Sequence, residues 1–155
     1  MNKFLKLIIS LVVVYTTAFF GSYFTFPSIS GWYVHLVKPS FSPPNWIFGP
    51  VWTVLYLMMT ISFYLIWEKK KLINIKQPVR LFCLQLLFNF FWSLLFFGLH
   101  QPFFAFIDII LLWIFILLTI LEFKKKSKTA GYLLIPYLLW VSFALILNLS
   151  IVLLN

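Results

Sequence analysis

Apolar residues run almost without interruption through five stretches of this chain, roughly 5–26, 47–67, 79–99, 103–123 and 132–154, and polar residues collect between them. Each stretch is close to the length of about 20 residues that a helix needs to cross the hydrocarbon core of a bilayer. None alternates polar and apolar positions as a membrane barrel strand would. A backbone in lipid must also satisfy its own hydrogen bonds, so helices are the predicted spanning form. The expectation is an all-α membrane protein in which residues 1–155 form a single five-helix transmembrane bundle. A cleaved signal peptide is the rival reading of the first stretch, with Lys3 and Lys6 as its basic region and Thr16-Thr17-Ala18 as the cleavage site. The apolar run continues through Phe19, Phe20, Tyr23, Phe24 and Phe26, longer than a typical signal core, which favours a retained helix.

Composition supports the membrane class. Of 155 residues, 63% are hydrophobic and only 10% charged, well beyond the apolar share of about 45–50% in soluble domains. The net charge of +9 would suggest nucleic acid in a soluble protein, but eleven of the twelve Lys and Arg residues fall on one predicted side of the membrane. Lys3 and Lys6 precede the first span, Lys69, Lys70, Lys71, Lys76 and Arg80 surround the second connection, and Lys124, Lys125, Lys126 and Lys128 fill the fourth. Only Lys38 lies opposite. The positive-inside rule then places the N-terminus in the cytoplasm of a cell membrane, with the first loop and the C-terminus outside. No nucleic-acid partner is expected, and the lysine clusters suit anionic membrane lipid. The single cysteine, Cys83, excludes an intramolecular disulfide and leaves no Cys/His spacing for a metal, and no cofactor is expected.

Between Pro27 and Trp52 lie five of the eight prolines and three of the seven tryptophans. The steps Lys38-Pro39 and Pro43-Pro44 forbid a continuous helix, yet Trp32, Tyr33, Phe41, Trp46, Phe48 and Trp52 are too apolar for a solvated linker. Residues 27–46 are therefore read as a loop that packs on the bundle as a lid. The short turn Gly98-Leu99-His100-Gln101-Pro102 makes the third and fourth spans antiparallel neighbours. Pro136 lies a turn inside the fifth stretch, where a kink or a freed carbonyl is expected.

Polar side chains within the spans recur at helical spacing. Gln85, Asn89 and Ser93 form one stripe with Trp92 beside them; Trp52, Tyr56, Thr60 and Tyr64 form a second; Pro136, Trp140, Ala144 and Asn148 form a third. Such stripes either tie helices together by hydrogen bonds or line a cavity. Asp108 is the acidic residue of the fourth span's interior, where it is either a ligand group or a structural tie bonded to Asn89, Gln85 or a tyrosine hydroxyl. Proton pumping is poorly supported, for want of a chain of titratable groups. The sequence has no phosphate loop, nucleophile elbow, paired carboxylates or metal-ligand cluster, and His35 and His100 read as solvated or interfacial residues. What it has is aromatic surface, suited to a large, flat, mostly apolar ligand whose polar edge is fixed by a few polar groups.

Three linked motifs carry a resemblance. Trp32-Tyr33, Lys38-Pro39, Pro43-Pro44, Trp46, Phe48, Pro50-Val51-Trp52-Thr53 and Leu55-Tyr56 form the first. Gln85-Leu86, Asn89, Trp92-Ser93 and Phe96-Phe97 form the second; Pro136-Tyr137-Leu138, Trp140, Phe143-Ala144 and Leu147-Asn148 form the third. In this order they resemble the translocator protein and tryptophan-rich sensory protein family, once called peripheral benzodiazepine receptors, over nearly the whole chain. The resemblance implies a five-helix membrane protein with a pocket that opens toward the first loop and takes porphyrins, sterols and synthetic isoquinoline or benzodiazepine ligands. It implies that Trp52 and Trp140 are the pair used in light- and oxygen-dependent porphyrin breakdown. It further implies that Tyr33, Trp46, Asn89, Trp92, Asp108 and Ala144 join them in the pocket or its lid. Two departures stand out: the chain after Asn148 lacks the aromatic and basic pair of the family's sterol segment, and Phe41 stands where many members have tryptophan. A homodimer is open, although the third span lacks a small-xxx-small pair. The alternatives are a transporter of amphipathic metabolites, for which no inverted repeat is visible, and a membrane scaffold without turnover.

Overall fold

The computed structural model describes residues 2–71 and 74–155, the side chain of Lys71 excepted. All its regular structure is helical among the described residues. Helix α1 (Lys3–Ser30) begins at Asn2, whose Oδ1 accepts the Leu5 N–H at 2.8 Å and so satisfies one of the orphan donors of the first turn. Pro27 lies inside its last turn, so the helix ends four residues past the apolar run read from the sequence and the loop starts at Gly31. A proline removes only its own N–H, and the Gly31 N–H still reaches the Pro27 carbonyl at 3.2 Å.

After the loop come α2 (Phe48–Glu68), α3 (Lys76–Ser93), α4 (Pro102–Lys126), α5 (Lys128–Leu133) and α6 (Ile135–Leu154). The fifth crossing is thus two helices, and Pro136 falls in the first turn of α6. A proline there costs no helical hydrogen bond, which corrects the expected kink within a continuous helix. Five segments, with α5 and α6 counted as one, are long and apolar enough to span a bilayer. The helices close into a ring in the order α1, α2, α5 with α6, α4, α3, and back to α1; α3 and α4, joined by the short turn, form the most extensive pairing.

Two details of that ring shape its interior. The end of α3 widens into a π-helical segment, Leu94–Gly98, whose extra residue per turn turns both Phe96 and Phe97 inward although they are consecutive. At the lysine-rich face, Lys6 Nζ meets Glu68 Oε1 at 2.6 Å and fastens α1 to α2. Most of the buried apolar residues form one cluster through the middle and basic half of the bundle; a smaller cluster of Tyr33, Phe96, Phe97, Ala105, Leu147 and Ile151 closes the loop end.

Candidate functional site

The loop packs on the bundle through specific contacts. Two short 3₁₀ turns, Tyr33–His35 and Asn45–Ile47, punctuate it. Between them Lys38 folds back so that Nζ donates to the carbonyls of Tyr33 (2.9 Å) and Leu36 (3.2 Å) while lying 4.9 Å from the centre of the Tyr33 ring. Asn155 holds the same stretch from α6: its Oδ1 accepts the Val37 N–H at 3.0 Å and its Nδ2 donates to the Val37 carbonyl at 2.9 Å. Trp32 stacks on His100 at 4.4 Å, and Ser28 Oγ, which donates to the Phe97 carbonyl, lies 3.1 Å from His100 Nε2. His100, exposed on its outer side, is therefore a joint between the loop and the α3–α4 turn, the interfacial role among the two expected for it.

Tyr33, 1% exposed, is driven into the mouth of the bundle against Phe48, Phe96 and Phe97. Burial pushes its phenol above the ordinary value, and the neighbouring Ser42 hydroxyl offsets part of that change. Beneath Tyr33 is a cavity of about 20 Å³ lined by Trp52, Trp92, Trp140, Ala144 and Asn148, among others. This is room for about one water molecule. Trp92 is fixed there, because its indole N–H donates to Asn148 Oδ1 at 3.0 Å while Asn148 Nδ2 donates to the Pro102 carbonyl at 2.9 Å. Trp52 stacks on Tyr56 at 5.4 Å, and Phe48 sets its edge to Trp140 at 6.1 Å. Among the described residues neither Trp52 nor Trp140 has a hydrogen-bond partner for its indole N–H.

Five of the eight residues singled out from the sequence meet at this cavity: Tyr33, Trp52, Trp92, Trp140 and Ala144. Three do not. Trp46 is 72% exposed and outside the lining, since it sits on the outer side of the turn that starts α2. Asn89 lies one layer deeper, accepting the Tyr56 hydroxyl at 2.7 Å and donating to the Tyr137 hydroxyl at 2.8 Å, so it props the tyrosines that flank Trp52. Asp108 is buried but its Oδ2 has no hydrogen-bond partner among the described residues, and neither amide atom of Gln85 has one. Among the described residues the tie expected between Asp108 and Asn89, Gln85 or a tyrosine is thus absent, and the two hydrogen bonds of Asn89 go to tyrosines instead. Trp113, deep in its span, donates to Ser142 Oγ at 2.8 Å and joins α4 to α6. Phe48, Phe143 and Leu147 line the cavity without having been singled out as site residues; their place in the motifs was the signal available.

The model of the TspO/MBR family matches residues 9–154. The chain belongs to this family. It is 46% identical over 160 residues to the tryptophan-rich protein TspO of Chlorobaculum tepidum, covering 100% of this chain and 99% of that one. It is 46% identical over 151 residues to the protein of the same name from Archaeoglobus fulgidus, covering 97% of each. The human translocator protein is 37% identical over 132 residues, 84% of this chain and 78% of the relative. Family membership and five apolar helices together make this a multi-pass membrane protein.

Proposed function

We propose that the chain binds a tetrapyrrole, or a flat apolar molecule like it, in the aromatic cavity beneath the first loop, and that under light dissolved molecular oxygen, as the oxidant, breaks down the bound ring with the participation of Trp52 and Trp140. The observation that carries this reading is the arrangement of these two indoles: both face one cavity, both keep an unpartnered N–H, and rings rather than charges surround them. An electron-rich indole stacks on a flat π-system, and its N–H fixes a polar edge. The cavity holds about 20 Å³ as it stands, so binding must displace Phe48, Tyr33 or the loop that carries Tyr33.

Titrating protoporphyrin into purified protein tests the binding step. Saturable quenching of tryptophan fluorescence is expected, weakened at least several-fold in the Trp52→Phe, Trp140→Phe double variant; no quenching, or undiminished quenching in that variant, overturns the reading. The breakdown step is tested separately, by illuminating the complex and following loss of the porphyrin band. It stands if loss is well above that of free porphyrin with added tryptophan and disappears in the double variant.

The same reading places the basic face in the cytoplasm and the loop outside the cell membrane, on the strength of eleven cationic residues against Lys38. In a Cys83→Ser background, a membrane-impermeant maleimide should label Ser40→Cys in intact cells and leave Lys126→Cys unlabelled; the opposite pattern reverses the orientation.

A further inference from the structure

A π-helical turn is uncommon, because its backbone bonds reach back five residues instead of four. Here the turn at Leu94–Gly98 borders the inner cavity, and its two inward rings, Phe96 and Phe97, both line it. They meet each other at 4.8 Å, and Tyr33 seats on them at 6.2 and 5.9 Å. The aromatic plug that leaves the cavity only about 20 Å³ thus rests on the π-turn.

The backbone of this turn has a second arrangement within reach. Leu99 N–H bonds to the Leu94 carbonyl, five residues back, at 2.7 Å, while the Leu95 carbonyl that a regular helix would offer it is taken by Gln101 N–H at 2.9 Å. Once Gln101 lets go, Leu99 can bond to Leu95, and the segment rewinds as α-helix with its end turned by about 100°, the rotation of one residue. Phe96 and Phe97 then no longer both face the cavity, and Tyr33 loses its seat. The turn is already loaded: His100 holds a φ of 53°, a left-handed backbone that is costly for a residue with a Cβ. A latch from α1 opposes the change. With Gln101 N–H turned to Leu95 and no N–H on Pro102, the Phe97 carbonyl receives its bond from the hydroxyl of buried Ser28. Ser28 has a single hydroxyl proton to give, so its oxygen accepts from His100 Nε2 at 3.1 Å, and Trp32 of the first loop stacks on that imidazole.

We propose that the π-turn of α3 is a gate on the inner cavity, latched shut by Ser28, and that it opens by rewinding to α-helix. What the gate admits rests on the binding reading above; its existence does not, so it is tested without porphyrin. In a Cys83→Ser background, Ala144→Cys puts a thiol in the cavity wall, and the rate at which methyl methanethiosulfonate modifies it in the purified protein reads the open fraction. Ser28→Ala should raise that rate about fivefold, the worth of one net hydrogen bond. Ser10→Ala removes a buried hydroxyl that bonds within α1, to the Lys6 carbonyl at 2.8 Å, and should leave the rate within about twofold of the parent. Deleting Leu95 takes the extra residue out of the turn, so the thiol should react fast and adding Ser28→Ala should change nothing further. Hydrogen exchange reads the backbone without the deletion, and decides should that variant not fold: the Gln101 amide, which loses its acceptor on rewinding, should exchange about fivefold faster in Ser28→Ala. The proposal is overturned if Ser28→Ala labels no faster than the parent, if Ser10→Ala matches it, if Ser28→Ala still acts in the deletion variant, or if exchange at Gln101 is unchanged. Labelling and exchange as expected in a protein that takes up no protoporphyrin would sink the binding reading and leave the gate standing.

Discussion

Asn89 and Gln85 sit one helical turn apart on the same face of α3, both at 2% exposure or less, yet they differ in what faces them. Asn89 is bonded on both sides, to Tyr56 and Tyr137, whereas the amide of Gln85 meets no partner among the described residues. Removing a group that satisfies buried neighbours costs their desolvation, while removing a buried group that satisfies nothing costs little. Asn89→Leu should therefore destabilise the protein by about 1–3 kcal/mol, whereas Gln85→Leu should be neutral or stabilising. Thermal unfolding of the two variants in the same detergent checks the contrast, and equal losses would refute it. Spacing along the sequence revealed the shared stripe of Gln85, Asn89 and Ser93. It could not distinguish their environments, because a period of 3.6 identifies a face and says nothing of which side chains from other helices reach it. The same limit hid the fate of Asp108: its position inside a span was legible, its lack of a partner was not.

At the scale of elements, the five crossings were legible because their apolar runs are long and the breaks between them rich in lysine. Their ends were less so: α3 begins at Lys76 and α4 runs on through Lys126, since a lysine at a membrane face remains helical while its ammonium reaches water. The π-helical segment at Leu94–Gly98 has no composition of its own and could not be read at all. The break between α5 and α6 is a packing device, because α5 has to lie close on both α2 and α4: Ser62 Oγ donates to the Ala130 carbonyl at 2.7 Å, and Gly131 faces α4 directly. A Cβ at Gly131 would come within 3.0 Å of the Lys124 nitrogen and 3.1 Å of the Ile120 carbonyl oxygen, backbone atoms that cannot swing aside. Gly131→Ala is thus expected to cost about 1–3 kcal/mol through overpacking. Gly49→Ala, with open space at its Cβ, should leave stability within about 0.5 kcal/mol of the parent. Chemical or thermal unfolding of the two alanine variants decides between this picture and one in which both glycines are mere helix weakeners.

In the whole molecule the loop closes the bundle by few attachments, and they differ in kind. Trp32, Tyr33 and Phe41 attach by ring packing, Trp32 on His100 at 4.4 Å and Phe41 against Phe143 at 6.2 Å, and Lys38 organises the loop internally; among the described residues only the side chain of Asn155, at the far end of α6, pairs with both backbone groups of a loop residue, Val37. That pairing imitates one rung of a β-ladder and bridges 118 positions of sequence, so it couples the position of the loop to the helix that carries Trp140, Ala144 and Asn148. No pattern in the sequence announces it, because Asn155 follows the last apolar run as an ordinary polar end. Asn155→Ala leaves every ring contact in place and removes the two bonds. The Val37 amide and its neighbours should then exchange hydrogen faster, by about fivefold for a net loss near 1 kcal/mol of local stability. The melting temperature of the bundle should scarcely move, since its core is untouched. Acrylamide quenching of tryptophan should rise in step, as the loop lifts from the cavity more often. Unchanged exchange at Val37 would mean that ring packing alone holds the loop; faster exchange throughout α6 would mean that Asn155 supports the helix rather than the loop.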